Sequence, residues 1–119
     1  MKLLAMAVNE KNMNAKLSDN LARAKYFAFV NLDDGDVEFK ENPAFTSSGG
    51  AGIKAGQFLL DNQVEILITK QLGQNASDLL AGAVKMFTGI DSSLDENLAK
   101  YKNGELEQGT STHPGFHHG

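Results

Sequence analysis

Apolar and polar positions alternate along this chain in blocks that change period several times. Lys2 to Val8 is nearly continuous apolar sequence, the pattern of a strand buried on both faces. Asn9 to Leu17 is polar and irregular, and reads as a loop at that strand's carboxyl end. Ser18 or Asp19 is placed to cap a short helical turn through Arg23. From Lys25 the sequence KYFAFVNL predicts an aromatic-rich strand. Asp34-Gly35 then gives a hairpin turn signal, with a second strand over Asp36 to Glu41. Asn42-Pro43 ends that strand, because proline lacks a ladder donor and restricts the residue before it.

After a small-residue loop to Gly49, a helix is expected from about Gly50–Gly52 to Asn62. Its apolar face would carry Ile53, Gly56 or Gln57, and Leu60, widened by Phe58 and Leu59. Val64 to Thr69 is short, apolar and β-branched, as a central parallel strand should be. A turn at Gly73, a short helix over Asn75 to Ala83 and a last strand over Val84 to Thr88 follow. Ser93 and Glu96 have capping-box spacing, Leu94, Leu98 and Tyr101 form a helical stripe, and Gly104 is suited to end it.

This succession predicts one α/β domain over residues 1–106, a mixed sheet of about five strands with helices on both faces. Residues 107–119 read as a flexible, histidine-containing tail. Right-handed crossovers place the loops after the parallel strands on one edge of the sheet, where open α/β sheets hold ligands. Those loops are Asn9 to Asn14, Thr69 to Asn75 and Thr88 to Asp91. The run Gly49, Gly50, Ala51, Gly52 precedes a helix and offers amides to an anion. It has neither dinucleotide-fingerprint nor P-loop spacing, and tight entry into a closely packed helix explains the glycines equally well.

Composition narrows the chemistry. The net charge of −4 and the absence of any basic run argue against nucleic-acid binding. The first apolar run is too short to span a membrane, and a cytoplasmic protein is expected. There is no cysteine, so any bound metal relies on His, Asp, Glu, Met or backbone groups. His113, His117 and His118 all lie in the tail, where they offer either a metal grip or a plain solvated segment. Met6 and Met86 sit in apolar runs and read as core; Met13 falls in a loop. No nucleophile–base pair and no paired catalytic carboxylates stand out, so no enzyme is expected.

Several pieces, taken in order, resemble a known family. They are the apolar first strand, SDNLARAKYF at Ser18 to Phe27, Glu41-Asn42-Pro43, and GAGIKAGQFLLDNQVEILIT. The GQNA turn at Gly73 to Ala76 and KMFTG before the final helix complete the set. Together they are similar to the dinitrogenase iron–molybdenum cofactor biosynthesis family. The resemblance implies a three-layer α/β/α domain with a ribonuclease H-like motif. It also implies a non-enzymatic carrier or chaperone of an iron–sulfur or iron–molybdenum type cluster, with cofactor-assembly proteins as possible partners; a monomer is expected separately, since no long apolar surface stripe is visible. Many relatives have a histidine, then an aromatic residue and a glycine, where this chain has Asn20, Leu21 and Ala22; Arg23 is kept. Asparagine is a poor ligand for soft iron centres. The expected site is therefore Asn20, Arg23, Gly49, Gly50, Gly52, Gly73 and Asn75, with Arg23 as an anion clamp or, alternatively, a surface ion pair with Asp19. A protein-interaction or regulatory module that kept the fold without the cluster is the other expectation.

Overall fold

The computed structural model describes residues 2–109 with their side chains and the backbone of residues 111–113. The strands are β1 (Leu3–Val8), β2 (Tyr26–Asn31), β3 (Val37–Glu41), β4 (Ile66–Thr69), β5 (Gln71–Gly73), β6 (Lys85–Thr88) and β7 (Ser111–His113). The helices are α1 (Ala51–Asp61), α2 (Gln74–Leu80) and α3 (Leu94–Lys102). The main sheet has the order β3-β2-β1-β4-β6. β2 runs antiparallel to both β1 and β3, while β4 is parallel to β1 and β6 is parallel to β4. This is the expected mixed five-stranded sheet.

Strand alternation divides the core between the two faces. Ala5, Ala7, Phe27, Phe29 and Leu67 pack beneath Ala51, Ala55 and Leu59 of α1 and Ala76 and Leu80 of α2. Leu4, Met6, Val8, Ala28, Val30, Ile66 and Ile68 pack against Leu94 of α3, with Leu98 and Tyr101 at the margin. Two helices on one face and one on the other give three layers. Phe27, Phe29 and Phe58 form an aromatic triangle with ring centroids 5.9–6.2 Å apart.

Four expectations need correction. The buried row of α1 is Ala51, Ala55, Gly56 and Leu59; Gln57 is exposed, and Ile53 is 50% exposed. Close helix packing selects this row of small residues. A Cβ on Gly56 would come within 3.0 Å of Leu79 Cδ2, so bulk on that face would push α1 off α2. Secondly, the turn over residues 21–23 is capped by Asn20, not by Ser18 or Asp19. Asn20 Oδ1 accepts from the amides of Ala22 (3.0 Å) and Arg23 (3.3 Å), while Ser18 Oγ bonds the backbone of Asn20.

Thirdly, only half of the capping box forms. Ser93 Oγ accepts from the Glu96 amide at 3.1 Å, but the Glu96 carboxylate takes the Ser92 hydroxyl at 2.6 Å instead of the Ser93 amide. Finally, α2 starts at Gln74 and ends at Leu80 because the preceding residues form β5, a three-residue strand parallel to β7. Three residues are too few to carry a period, and the partner lies about 40 positions away in sequence. Beyond Leu106, which packs on the α3-side core, the chain bonds to β6. Thr88 N–H donates to Glu107 O (2.9 Å), and Gly109 N–H to Met86 O (2.6 Å).

Candidate functional site

Three chain segments meet at the carboxyl ends of the parallel strands and enclose a cavity of about 630 Å³. The first is the turn from Asp19 to Arg23, the second is the start of α1 at Ala51 and Gly52, and the third runs from Gln71 to Ala76 through β5 into α2. Of the seven residues expected to form a site, five line this space: Asn20, Arg23, Gly52, Gly73 and Asn75. Gly49 and Gly50 do not. Gly50 adopts φ +66°, the left-handed conformation that turns the chain into α1, and the Gly49 carbonyl accepts from Ser47 Oγ at 2.6 Å. Residues 9–14 and 88–91 do not line the cavity either.

Local chemistry explains why these ends stay open. The first intrahelical bond of α1 runs from Lys54 N–H to Gly50 O at 3.0 Å, which leaves the amides of residues 51–53 without a helical acceptor. Neither α1 nor α2 has a side-chain cap, and neither has an acidic residue in its first turn. α3, whose first turn does not line the cavity, has both: Ser93 as cap, and Asp95 and Glu96 behind it. The two helices facing the cavity thus keep the positive end of their dipoles unneutralised by protein side chains. They also begin close together, since a Cβ on Gly52 would lie 3.9 Å from the Ala76 backbone nitrogen.

Arg23 adds a full charge. One guanidinium nitrogen donates to Ser47 O at 3.1 Å, which ties the turn to the lead-in of α1. Arg23 also lines the cavity, and among the described residues its side chain makes no other hydrogen bond. The ion pair expected between Arg23 and Asp19 is not formed; Asp19 pairs with Lys70. Lys70 in turn reaches Asp91 at 2.7 Å, and Asp91 reaches Lys16 at 3.2 Å. Hydrogen bonding to Asp19 first, and Asp91 second, raises the Lys70 pKa above the ordinary lysine value against a smaller opposing effect of burial. Asp91 is held below the ordinary aspartate value, chiefly by Lys70 and then by Lys16. The carboxylate at the cavity rim is therefore already matched by a cation.

Beneath the turn sits Asn42, a residue that sequence reading took only as a strand stop. It is 4% exposed, and its Nδ2 donates to the carbonyls of Leu21 (3.1 Å), Ala22 (3.3 Å) and Ala24 (2.9 Å). Its Oδ1 accepts from the Ala44 amide at 3.0 Å. Gln71 and Gln74 of the cavity wall were likewise missed, because nothing in their neighbours sets them apart from other glutamines; the Gln74 amide donates to Asp78 Oδ1 at 2.7 Å. Of the expected tail ligands, His117 and His118 lie outside the described residues. The backbone of His113 ends β7 at the position paired with Gly73.

Among the described residues no group of three His, Cys, Asp or Glu side chains is placed to hold a metal ion. The cavity wall sets the Arg23 side chain and the starts of α1 and α2 among apolar side chains and an Asp19 carboxylate already paired with Lys70, a lining that suits an anion carrying its own ligands better than a bare metal ion.

The family model for dinitrogenase iron–molybdenum cofactor proteins matches residues 2–104. The chain belongs to that family. Its fold is similar to the solution structure of a candidate NifB protein from Thermotoga, with a TM-score of 0.79 and 32% identity over 91% of this chain and 93% of that one. It is also similar to the apo form of the orange protein from Desulfovibrio gigas, with a TM-score of 0.86 and 23% identity over 93% and 95% of the two chains, a likeness of fold. An uncharacterised protein of Methanocaldococcus jannaschii is 23% identical over 99 residues, 80% of this chain and 84% of that protein. Family and fold fit a small protein associated with a metal cluster or with cofactor biosynthesis. Among the described residues, no helix is long and apolar enough to cross a membrane.

Proposed function

We propose that this protein is a non-catalytic, cytoplasmic carrier that holds an anionic cluster of the iron–sulfur or iron–molybdenum type in the strand-tip cavity. One observation carries the reading: both helices that start at the cavity lack side-chain caps and first-turn acids, and Arg23 stands beside them. Anions are favoured where free amides, helix dipoles and a guanidinium converge. In the proposed complex Arg23, the amides of residues 51–53 and the residues from Gly73 to Asn75 contact the cluster's own outer atoms. Asn20 contributes by shape, since its oxygen is committed to capping the turn. The cavity holds its cargo for transfer to assembly proteins and performs no bond chemistry on it. His113, His117 and His118 form a separate, weaker metal-binding element in this proposal.

A second reading has a specific observation behind it. Asn20 stands where a ligand is expected from the family and spends its oxygen on backbone amides, as a protein that kept the fold without the cluster would do. In that case the same surface meets a protein partner.

The test is an anaerobic titration with extracted iron–molybdenum cofactor, followed by absorbance and amide chemical shifts, on the wild type and Arg23→Met. The carrier reading expects shifts at residues 20–23, 51–53 and 73–76. Affinity should fall about ten- to a hundredfold in the variant, the loss of one charge-assisted contact. Shifts confined to residues 113–118 would transfer binding to the tail. No shift at all would favour the interaction module.

A further inference from the structure

One edge of the main sheet ends on β3, and its outward ladder has a self-complementary charge pattern. We infer that β3 pairs antiparallel with β3 of a second copy, about a twofold axis at Phe39, and joins two sheets into one of ten strands.

The hydrogen-bond parity of β3 fixes which groups are available. At one end of the hairpin Asp36 O accepts from Asn31 N–H at 2.8 Å; at the other, Asn42 N–H donates to Lys25 O at 2.9 Å. In an antiparallel pair the backbone groups of alternate residues face alternate sides. Residues 36, 38, 40 and 42 therefore face β2, and Val37, Phe39 and Glu41 present their N–H and C=O groups outward. Among the described residues, no backbone bond beyond the β2 ladder engages these three.

Two copies of this edge can meet antiparallel in three registers that set outward groups opposite one another and overlap by at least two bonded positions. An axis at Glu38 puts Glu38 directly opposite Glu38 of the other copy at the centre of the pairing, and sets Asp36, outside β3, opposite Lys40 only at its ends. An axis at Lys40 sets two lysines opposite one another at the centre. Like charges directly opposite are destabilising. An axis at Phe39 gives the longest overlap and sets Glu38 opposite Lys40 twice. Both pairs fall at non-hydrogen-bonded positions, where facing side chains come closest, and Lys40 Nζ exchanges the bond it donates to Asn62 Oδ1 (2.9 Å) for the facing Glu38 carboxylate. Charge thus selects one register out of three, and the selected one is symmetric, as closed homodimers are.

The ends of the edge agree. Only three large apolar side chains are exposed among the described residues, and two of them flank this edge: Val37 on β3 and Phe45 just beyond Pro43. Antiparallel pairing brings the Val37 end of each copy towards the Phe45 end of the other. Charged residues on an edge strand ordinarily keep it from pairing. Here opposite signs are spaced so that the edge refuses most strands and accepts its own copy. No residue of β3 lines the strand-tip cavity, so a dimer keeps two open cavities and the inference stands apart from the carrier reading.

Sedimentation equilibrium over a range of concentration up to about 1 mM tests the inference, on the full chain and on Glu38→Lys, the double exchange Glu38→Lys with Lys40→Glu, and Val37→Pro. Wild type should show a monomer–dimer equilibrium. Glu38→Lys should raise the dissociation constant at least about tenfold by facing lysine with lysine, and the double exchange should restore it. Val37→Pro removes an outward donor while leaving the β2 ladder intact, and should also give monomers. Circular dichroism of each variant separates loss of pairing from loss of fold. A wild type that stays monomeric throughout, or a folded Glu38→Lys that dimerises as well as wild type, overturns the inference.

Discussion

Two buried asparagines, Asn42 and Asn97, anchor the loops at the strand tips. Asn97 is fully buried; its oxygen accepts from Ile90 N–H at 2.8 Å, and its nitrogen donates to the carbonyls of Ile90, Ser92 and Ser93. Asn42 does the same for residues 21–24. An asparagine carries a donor pair and an acceptor on one rigid plane, so a single side chain satisfies both senses of a loop's backbone. The space above Asn97 explains Gly89 as well. A Cβ there would clash with Leu17 Cδ2 and lie 2.9 Å from Asn97 Oδ1 and from Ile68 Cγ2, which favours glycine. Replacing Asn42 by Ala leaves the Ala44 amide and the carbonyls of the turn buried without partners. The expected cost is about 2–3 kcal/mol, measured by urea unfolding. Since the turn carries Asn20 and Arg23, the same variant should also broaden the amide resonances of residues 20–24.

The three helices differ in how they begin, and the difference follows use. α3 has Ser93 to cap it, acids in its first turn and Lys100 and Lys102 in its last, so its dipole is matched at both ends. Ser93→Ala should therefore cost about 1 kcal/mol in thermal unfolding, and no comparable cap exists to remove from α1 or α2. β1, β2, the Asp34-Gly35 hairpin, β4 and α3 were legible because each carries its own signal: an apolar run, a turn pair or a cap. β5 and β7 were not, since each is a strand only through its partner. On α1, Gly56 and Leu59 lie on the buried face as expected, but hydrophobicity favoured Ile53, which is exposed, over Ala51 and Ala55, which are buried. At the site, the glycines and Arg23 stood out in sequence. Asn42, Gln71, Gln74 and Lys70 did not, because their roles come from neighbours that only the fold supplies.

Across the whole molecule, one string of charges joins the tips of all three parallel strands. Lys16 and Asp19 follow β1, Lys70 follows β4 and Asp91 follows β6, and they pair in the order Lys16–Asp91–Lys70–Asp19. The string closes the edge on which the cavity opens and holds Asp19 against Lys70 at its rim. Its pH dependence has a definite sign. Asp91 has a lowered pKa in the folded chain, so its contribution is full above the ordinary aspartate value of about 3.9 and is lost as pH falls through its folded value. Lys70 has a raised pKa, so its contribution is full below the ordinary lysine value of about 10.4 and is lost as pH rises through its folded value. The string therefore contributes most in the neutral range and weakens at both extremes. Asp91→Asn should melt at a lower temperature than wild type at pH 7, with a gap that closes as pH falls through the lowered pKa of Asp91 and its carboxylate is protonated. High salt should narrow the neutral gap as well, because the Asp91 carboxylate is 65% exposed. A gap that survives both low pH and high salt would mean that Asp91 holds the strand tips by geometry and hydrogen bonding, with its charge incidental.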